Sequence, residues 1–488
     1  MLAIAWGALA FGGVYAWAYT PLALGCATIG IAALAVERGG RPPVRSLALG
    51  LTAVACAIAV QTAPLPQPVL ARVSPGSDAF LTHNDFSYAF AAARGAPEEV
   101  ATTATRPAGH SISLEPQKTL LGLGLFVAFA LFLLGLIRLL SVVGGRRLVG
   151  ALVLCGVVLS LIGIVQYTVS GGATYLLKIY GFWQPRYRAS PFGPFINRNH
   201  FAGWVIMVLP FAFAWAYAAW EGNDRESSSA RRRQIAWLSS PAAGQITLMA
   251  FAAVVMGVGL VMSDSRSGMA GFVAGSLLPA WLVMRRQTSR AAGAAAAVLV
   301  ALLFVVVGSW AGPGRIVHRA ASVSGDLPTG GGRFEAWADT VRIARDFPVT
   351  GTGFNTYGTA MTAYQTGNRQ LHFEEAHNDY LQLAAEGGLL VAVPVLFTLA
   401  AFVRDVRQRF REAPKEGTTY WLRVGAVIGL VSIALQSLVE FSLQMPGNAA
   451  LFTVLAAVAL HQSPRLRLAR FSVSDTCRTP QVDHSLGT

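Results

Sequence analysis

The sequence predicts an all-α polytopic membrane protein, on three observations. Of its 488 residues 54% are hydrophobic and 13% charged, and the mean hydropathy is +0.50, far too apolar for a soluble globular chain. Apolar runs long enough to cross a ~30 Å hydrocarbon core as helices recur along nearly the whole length. Basic residues collect between alternate runs, as membrane topology requires. A disordered chain would need few apolar residues and much charge, and a small disulfide scaffold would need dense cysteine, so both classes are excluded. The net charge of +14 forms no continuous basic domain, which argues against nucleic acid as a partner.

About twelve spans are expected. The first six cover 2–18, 22–36, 46–61, 119–141, 148–169 and 200–220; the rest cover 245–262, 268–284, 291–310, 388–403, 425–443 and 449–461. The start lacks a basic n-region and runs into a second apolar stretch after Pro21, so it reads as a span and not as a cleaved signal. With the N-terminus inside, the cytoplasmic loops gather Arg38, Arg41 and Arg45, Arg146 and Arg147, Arg231 to Arg233, Arg285 and Arg286, and Arg404 to Lys415. Both termini are then cytoplasmic. Residues 1–464 form one transmembrane domain and 465–488 a polar tail, expected to be disordered. Cys26, Cys56, Cys155 and Cys477 are isolated, and neither a disulfide nor zinc is expected.

The opposite, periplasmic side carries three long segments, 62–118, 170–199 and 311–387. Long ordered loops are usually functional. The first is rich in Pro and Ala and compositionally vague, whereas the third mixes aromatic, charged and glycine residues. Within it Phe334, Trp337 and Val341 share one helical face, predicting a short surface helix that ends before Pro348.

Of the basic residues that stay on this side against the charge bias, two sit at the mouth of a span, Arg198 in Asn197-Arg198-Asn199-His200 and Arg266 in Ser263-Asp264-Ser265-Arg266, and a third, Arg333 after Gly332, opens the surface helix. Converging guanidiniums make a permanent cationic site that can hold phosphate oxygens in bidentate fashion. The alternative for each alone is snorkelling to lipid phosphates, or neutralising Asp264 or Glu335. The run Glu374-Glu375-Ala376-His377-Asn378-Asp379 offers a general base, since imidazole titrates near neutrality and nearby carboxylates orient it. The competing reading is a helix-capping Asn-Asp turn with an incidental histidine. His200 reads as a polar residue beside Arg198, and Gly351-Thr352-Gly353 as a plain turn.

Taken together, Asn197-Arg198-Asn199-His200-Phe201-Ala202-Gly203, Ser263-Asp264-Ser265-Arg266-Ser267-Gly268, Gly332-Arg333-Phe334 with Trp337, and His377-Asn378-Asp379-Tyr380-Leu381-Gln382 resemble the O-antigen ligase and O-antigen polymerase superfamily. The resemblance implies a C-type glycosyltransferase fold in the bacterial inner membrane. The implied donor is a glycan on undecaprenyl diphosphate, the acceptor lipid A core or another lipid-linked glycan, and the active face periplasmic. Residue by residue, it implies that Arg198 and Arg266 bind the donor diphosphate with Arg333 as a further contact. His377 would activate the acceptor hydroxyl, with Asn199, His200, Asn378 and Asp379 in support, in a metal-independent inverting transfer without a cofactor. Gly387-Gly388 runs straight into Leu389, where ligases tend to show a further Gly-x-x-Gly-like element, so ligase and polymerase both stay open. The alternative from another class is a transporter or flippase for lipid-linked glycans, which requires ionisable residues along a mid-membrane pathway.

Overall fold

The computed structural model describes residues 1–35, 44–94, 109–171, 178–184, 190–223, 240–286, 332–367, 372–412 and 417–462. Among them seven helices are long and apolar enough to cross a membrane: Ala16–Ala35, Pro116–Val143, Arg146–Val169, Arg198–Glu221, Pro241–Met262, Asp379–Glu412 and Thr418–Gln436. Arg45–Gln61 and Pro446–Leu460 are shorter apolar helices, and Arg266–Arg286 stands beside Thr418–Gln436. The described residues therefore do not confirm the expected count of about twelve. The ninth expected span, 291–310, lies outside the described residues, as does the tail from 465.

The bundle is organised around Arg198–Asn223, whose membrane-crossing window is 83% buried, against 22% for Asp379–Glu412 at the periphery. A helix apolar on every side belongs at the centre of a bundle, and Phe201 to Ala212 are buried here almost without interruption. Thr418–Gln436 and Pro241–Met262 pack on it, while Ala16–Ala35 pairs with Pro116–Val143. That pair closes through Gly30 and Gly135, where a Cβ on Gly135 would stand 2.4 Å from the Gly30 carbonyl oxygen. Apolar attraction is no driving force between helices in lipid, so small residues that let backbones touch take its place.

Three expected boundaries move. The first span is not one helix. Leu2–Leu9 rises only about 12 Å at 1.5 Å per residue, then Phe11, Gly12 and Gly13 take positive φ and the chain turns into Ala16–Ala35, which runs straight through Pro21. The turn is tight because Gly447 sits on it: a Cβ there would stand 2.7 Å from the Gly12 carbonyl oxygen. The tenth span starts nine residues early, at Asp379, and bends at Gly388. The eleventh ends at Gln436 instead of 443, which leaves 437–445 as a loop with one 3-10 turn.

The first outer segment, vague by composition, is folded in its described residues, 62–94 and 109–118. Pro64–Pro66 pairs antiparallel with Gly109–Ser111, Pro64 opposite Ser111, and Gln67–Val73, Pro75–Asn84 and Phe86–Arg94 are short helices. Helices Arg333–Asp346 and Tyr357–Tyr364 of the third segment join the same outer layer around Ala336, Ile343, Phe347, Tyr357 and Met361. Hydrogen bonds stitch the two segments together: Ser74 meets the Thr350 hydroxyl at 2.8 Å, and Gln61 Nε2 donates to the carbonyls of Thr350 and Glu386. Gly351 and Gly353 form the turn between helices Arg333–Asp346 and Tyr357–Tyr364, both at positive φ and in contact with backbone or with Ser113, a packed turn as expected.

Candidate active site

The site lies where five chain segments end on one side of the bundle: the start of Arg198–Asn223, the turn 263–265, the start of Arg333–Asp346, the strip 372–379, and the loop 437–442. Glu440 is at its centre. Its carboxylate is 1% exposed, accepts from Asn199 Nδ2 at 2.7 Å and Arg333 Nη2 at 2.8 Å, and faces His377 Nδ1 at 3.7 Å. At that distance His377 is an electrostatic partner of Glu440 and not a hydrogen-bonded one, and its Nδ1 has no hydrogen-bond partner. Burial pushes the Glu440 carboxyl up, but His377 and Arg333, with a smaller contribution from His200, outweigh it and hold the group below its ordinary value.

Phe441 fixes the two histidines. The His377 ring meets it edge-on at 4.6 Å between centroids and the His200 ring does the same at 4.7 Å. His200 is buried, its carbonyl accepting from Asn448 Nδ2 at 3.0 Å, whereas the His377 side chain keeps 22% exposure and opens to the outside. His377 has φ of 52°, a left-handed conformation that a side chain of this size adopts only when its surroundings hold it. Those surroundings are tight on both sides: Gln382 accepts from the Ala376 amide, and Asn378 Oδ1 caps Tyr380 and Leu381 at 3.1 and 3.0 Å. Asn378 is thus engaged as a helix cap. Asp379 is likewise engaged, its amide donating to the Ser437 carbonyl and its Oδ1 accepting from Gln444 at 3.3 Å.

Asn199 links this centre to the arginines. Its Oδ1 accepts from Ser265 Oγ at 2.8 Å and its carbonyl accepts from Gln436 Nε2 at 3.0 Å, which ties the 263–265 turn to Glu440. On that turn Asp264, at φ of 53°, meets Arg198 Nη1 at 3.1 Å. Arg266 follows it, exposed and without a hydrogen bond or ion pair among the described residues. Arg198, Asn199, His200, Arg333 and His377 therefore belong to one connected network, with Arg266 one residue from Ser265. The surface helix runs from Arg333 to Asp346 and ends before Pro348 as expected; Ala336, Asp339, Thr340 and Ile343 form its buried face, and Phe334 on the other face is 61% exposed.

Sequence reasoning missed Glu440 as a site residue. In the sequence it is a lone acid near the outer end of an apolar run, in Leu438-Val439-Glu440-Phe441, with no motif around it. A second buried network lies just behind His377. Gln382 Nε2 donates to Glu375 Oε2 at 2.5 Å and to Glu386 Oε1 at 3.3 Å, and Glu386 accepts from the amides of Asn355 and Tyr357. Burial first, and then the nearness of Glu386, push the Glu375 carboxyl up to about 8.

Fold and site together define a polytopic helical membrane protein with a buried carboxylate, a histidine and clustered arginines at one membrane face. Residues 251–396 match the family model described as O-antigen ligase. That match supports the O-antigen ligase and polymerase superfamily, and it spans Arg266, Arg333 and His377 while leaving Arg198 and Glu440 outside. No curated protein matches the chain.

Proposed function

We propose that the protein transfers a glycan from a polyprenyl diphosphate, of the undecaprenyl class, to the hydroxyl of an acceptor sugar at the periplasmic face of the bacterial inner membrane. The observation that carries this reading is the single carboxylate, Glu440, that joins His377, Arg333 and Asn199 in a chain with an O-antigen ligase match. Arg266, exposed and unpaired among the described residues, is the first contact for the donor diphosphate. Arg198 and Arg333 stand beside it as further cations, each already balanced by a carboxylate that a diphosphate oxygen would have to displace or share.

The acceptor hydroxyl attacks the anomeric carbon as the bond from that carbon to the phosphate oxygen breaks. The diphosphate leaves with the electron pair, and the hydroxyl proton passes to His377. Fixed guanidiniums in a partly desolvated site stabilise the charge gathering on the leaving group. Glu440 holds the imidazole through a charge contact and stabilises the imidazolium that forms, which makes it a positioning residue behind the base. A single displacement inverts the anomeric centre. The acceptor is lipid A core for a ligase or a second lipid-linked repeat for a polymerase. Transport is the weaker reading, because the deeply buried cations Arg409 and Arg423 are engaged with main-chain carbonyls at the other end of the bundle.

The test is purified protein in lipid with an undecaprenyl-diphosphate-linked repeat as the only glycan. A ladder of longer products identifies a polymerase. Donor consumed only after lipid A core is added identifies a ligase, and inertness in both overturns the proposal. In the active assay His377→Ala is expected to lose about 10²–10⁴-fold in rate while its content in the membrane is unchanged; full activity would remove His377 from the mechanism.

A further inference from the structure

The end of the bundle away from the site carries a second feature that glycan transfer does not use. Beyond the Gly388 bend the Asp379–Glu412 helix runs to Arg407 over roughly 30 Å, the thickness of a hydrocarbon core. On its outer face Leu396, Leu399 and Val403 line the floor of a groove of about 610 Å³, and Arg404, Arg407 and Arg411 line its polar end. Arginines at i, i+3 and i+7 share one side of a helix, and the apolar residues continue the same stripe one turn deeper. The groove is apolar where acyl chains lie and cationic where headgroups lie.

The neighbouring acids do not neutralise it. Asp405 is buried and takes Arg404 through Nε and Nη2 at 3.0 and 2.7 Å. Glu412 turns to Gln408 and to the buried Arg409 at 2.9 and 3.0 Å. Arg407 and Arg411 are exposed and form no ion pair among the described residues. Arg404 is thus held in place by its carboxylate while two uncompensated guanidiniums remain one turn apart, a spacing that suits two phosphate oxygens better than one.

We propose that this groove is a binding site for an anionic phospholipid of the leaflet opposite the active site, with a preference for a headgroup carrying two phosphates. The acyl chains lie along Leu396, Leu399 and Val403 and the phosphates sit between Arg407 and Arg411. The site anchors the peripheral helix that begins at Asp379, two residues after His377.

Full-length protein purified in a non-ionic detergent is incubated with cardiolipin or with phosphatidylcholine, and retained lipid is counted by native mass spectrometry. Cardiolipin is expected to be retained at least tenfold over phosphatidylcholine, on the scale of a roughly fivefold gain per basic residue near an anionic surface. Arg407→Gln with Arg411→Gln is expected to abolish the preference, and Arg407→Lys with Arg411→Lys to keep most of it. Equal retention of both lipids by the wild type, or an unchanged preference in the double glutamine variant, overturns the proposal. Should that variant not fold, wild-type protein at ~1 M salt decides: screening shortens to about 3 Å there, so cardiolipin retention must fall, and retention that ignores salt counts against the site.

Discussion

At Glu440 one carboxylate oxygen holds Asn199 and Arg333 at 2.7 and 2.8 Å while the other faces His377 at 3.7 Å. Removing the charge without changing the shape separates its two duties. Glu440→Gln retains an acceptor for Arg333 and Asn199 but no longer stabilises an imidazolium, so transfer is expected to fall by about tenfold or more in protein that still folds. Its carboxyl is held below the usual range, so its contribution to stability is fully present above the unfolded value near 4.3 and is lost as pH falls through the lower, folded value. Thermal unfolding followed from pH 7 to pH 3 should show a shallower acid decline in Glu440→Gln than in the wild type. Identical acid limbs would mean that the ion pairs around Glu440 do not stabilise the fold. Glu375 has the opposite sign. With its carboxyl raised to about 8, the folded state holds a proton that the unfolded chain has already released, so stability falls as pH rises from about 4.3 to about 8. Glu375→Gln should flatten that decline, with the clearest gain in midpoint temperature above pH 8.

The element that decides how His377 is presented is the Asp379–Glu412 helix. Its start is capped by Asn378, its first turn is tied to Ser437, and it bends at Gly388, where φ is 53° and ψ −161°. At the bend the backbone comes against the 349–351 turn: a Cβ on residue 388 would stand 2.6 Å from the Gly351 amide nitrogen and from the Val349 carbonyl oxygen. Gly388→Ala therefore combines a strained φ with a backbone clash. It is expected to cost about 2 kcal/mol or more, read as a lower unfolding midpoint with reduced transfer, whereas Gly124→Ala, where the added Cβ meets nothing within 4 Å, serves as the neutral control. The bend was not legible in Gly387-Gly388 alone, since the same pair in an apolar run also reads as a span boundary. Asn378 was legible as a cap because its oxygen serves amides two and three residues on, an interaction confined to one stretch of chain.

For the whole molecule, orientation is the open physical variable. By the charge bias of the loops, Arg404 to Arg411 are expected on the cytoplasmic side and the His377 face on the other. With the four cysteines replaced, a single cysteine at position 334 should react in intact cells with a thiol reagent that cannot cross the membrane, and one at position 411 only after permeabilisation. The reverse pattern would turn the protein over and remove the periplasmic donor from the proposal.

Helical membrane architecture was legible in the sequence because a bilayer forces each span to satisfy its own backbone hydrogen bonds, so composition and run length alone report it. The candidate arginines and His377 were legible for a related reason: polar groups at the mouth of a span stand out against apolar surroundings. What only the tertiary structure decided is how these groups meet. Glu440 lies 63 residues after His377 and 241 after Asn199, and nothing local to any of the three encodes their contact. The packing of Ser74 and Ser113 against the 349–353 turn was hidden for the same reason. Pairings such as Ser74 with Thr350 and Gln61 with Glu386 join residues 276 and 325 positions apart, and packing of that range follows from the shape of the assembled bundle and leaves no periodicity in the chain.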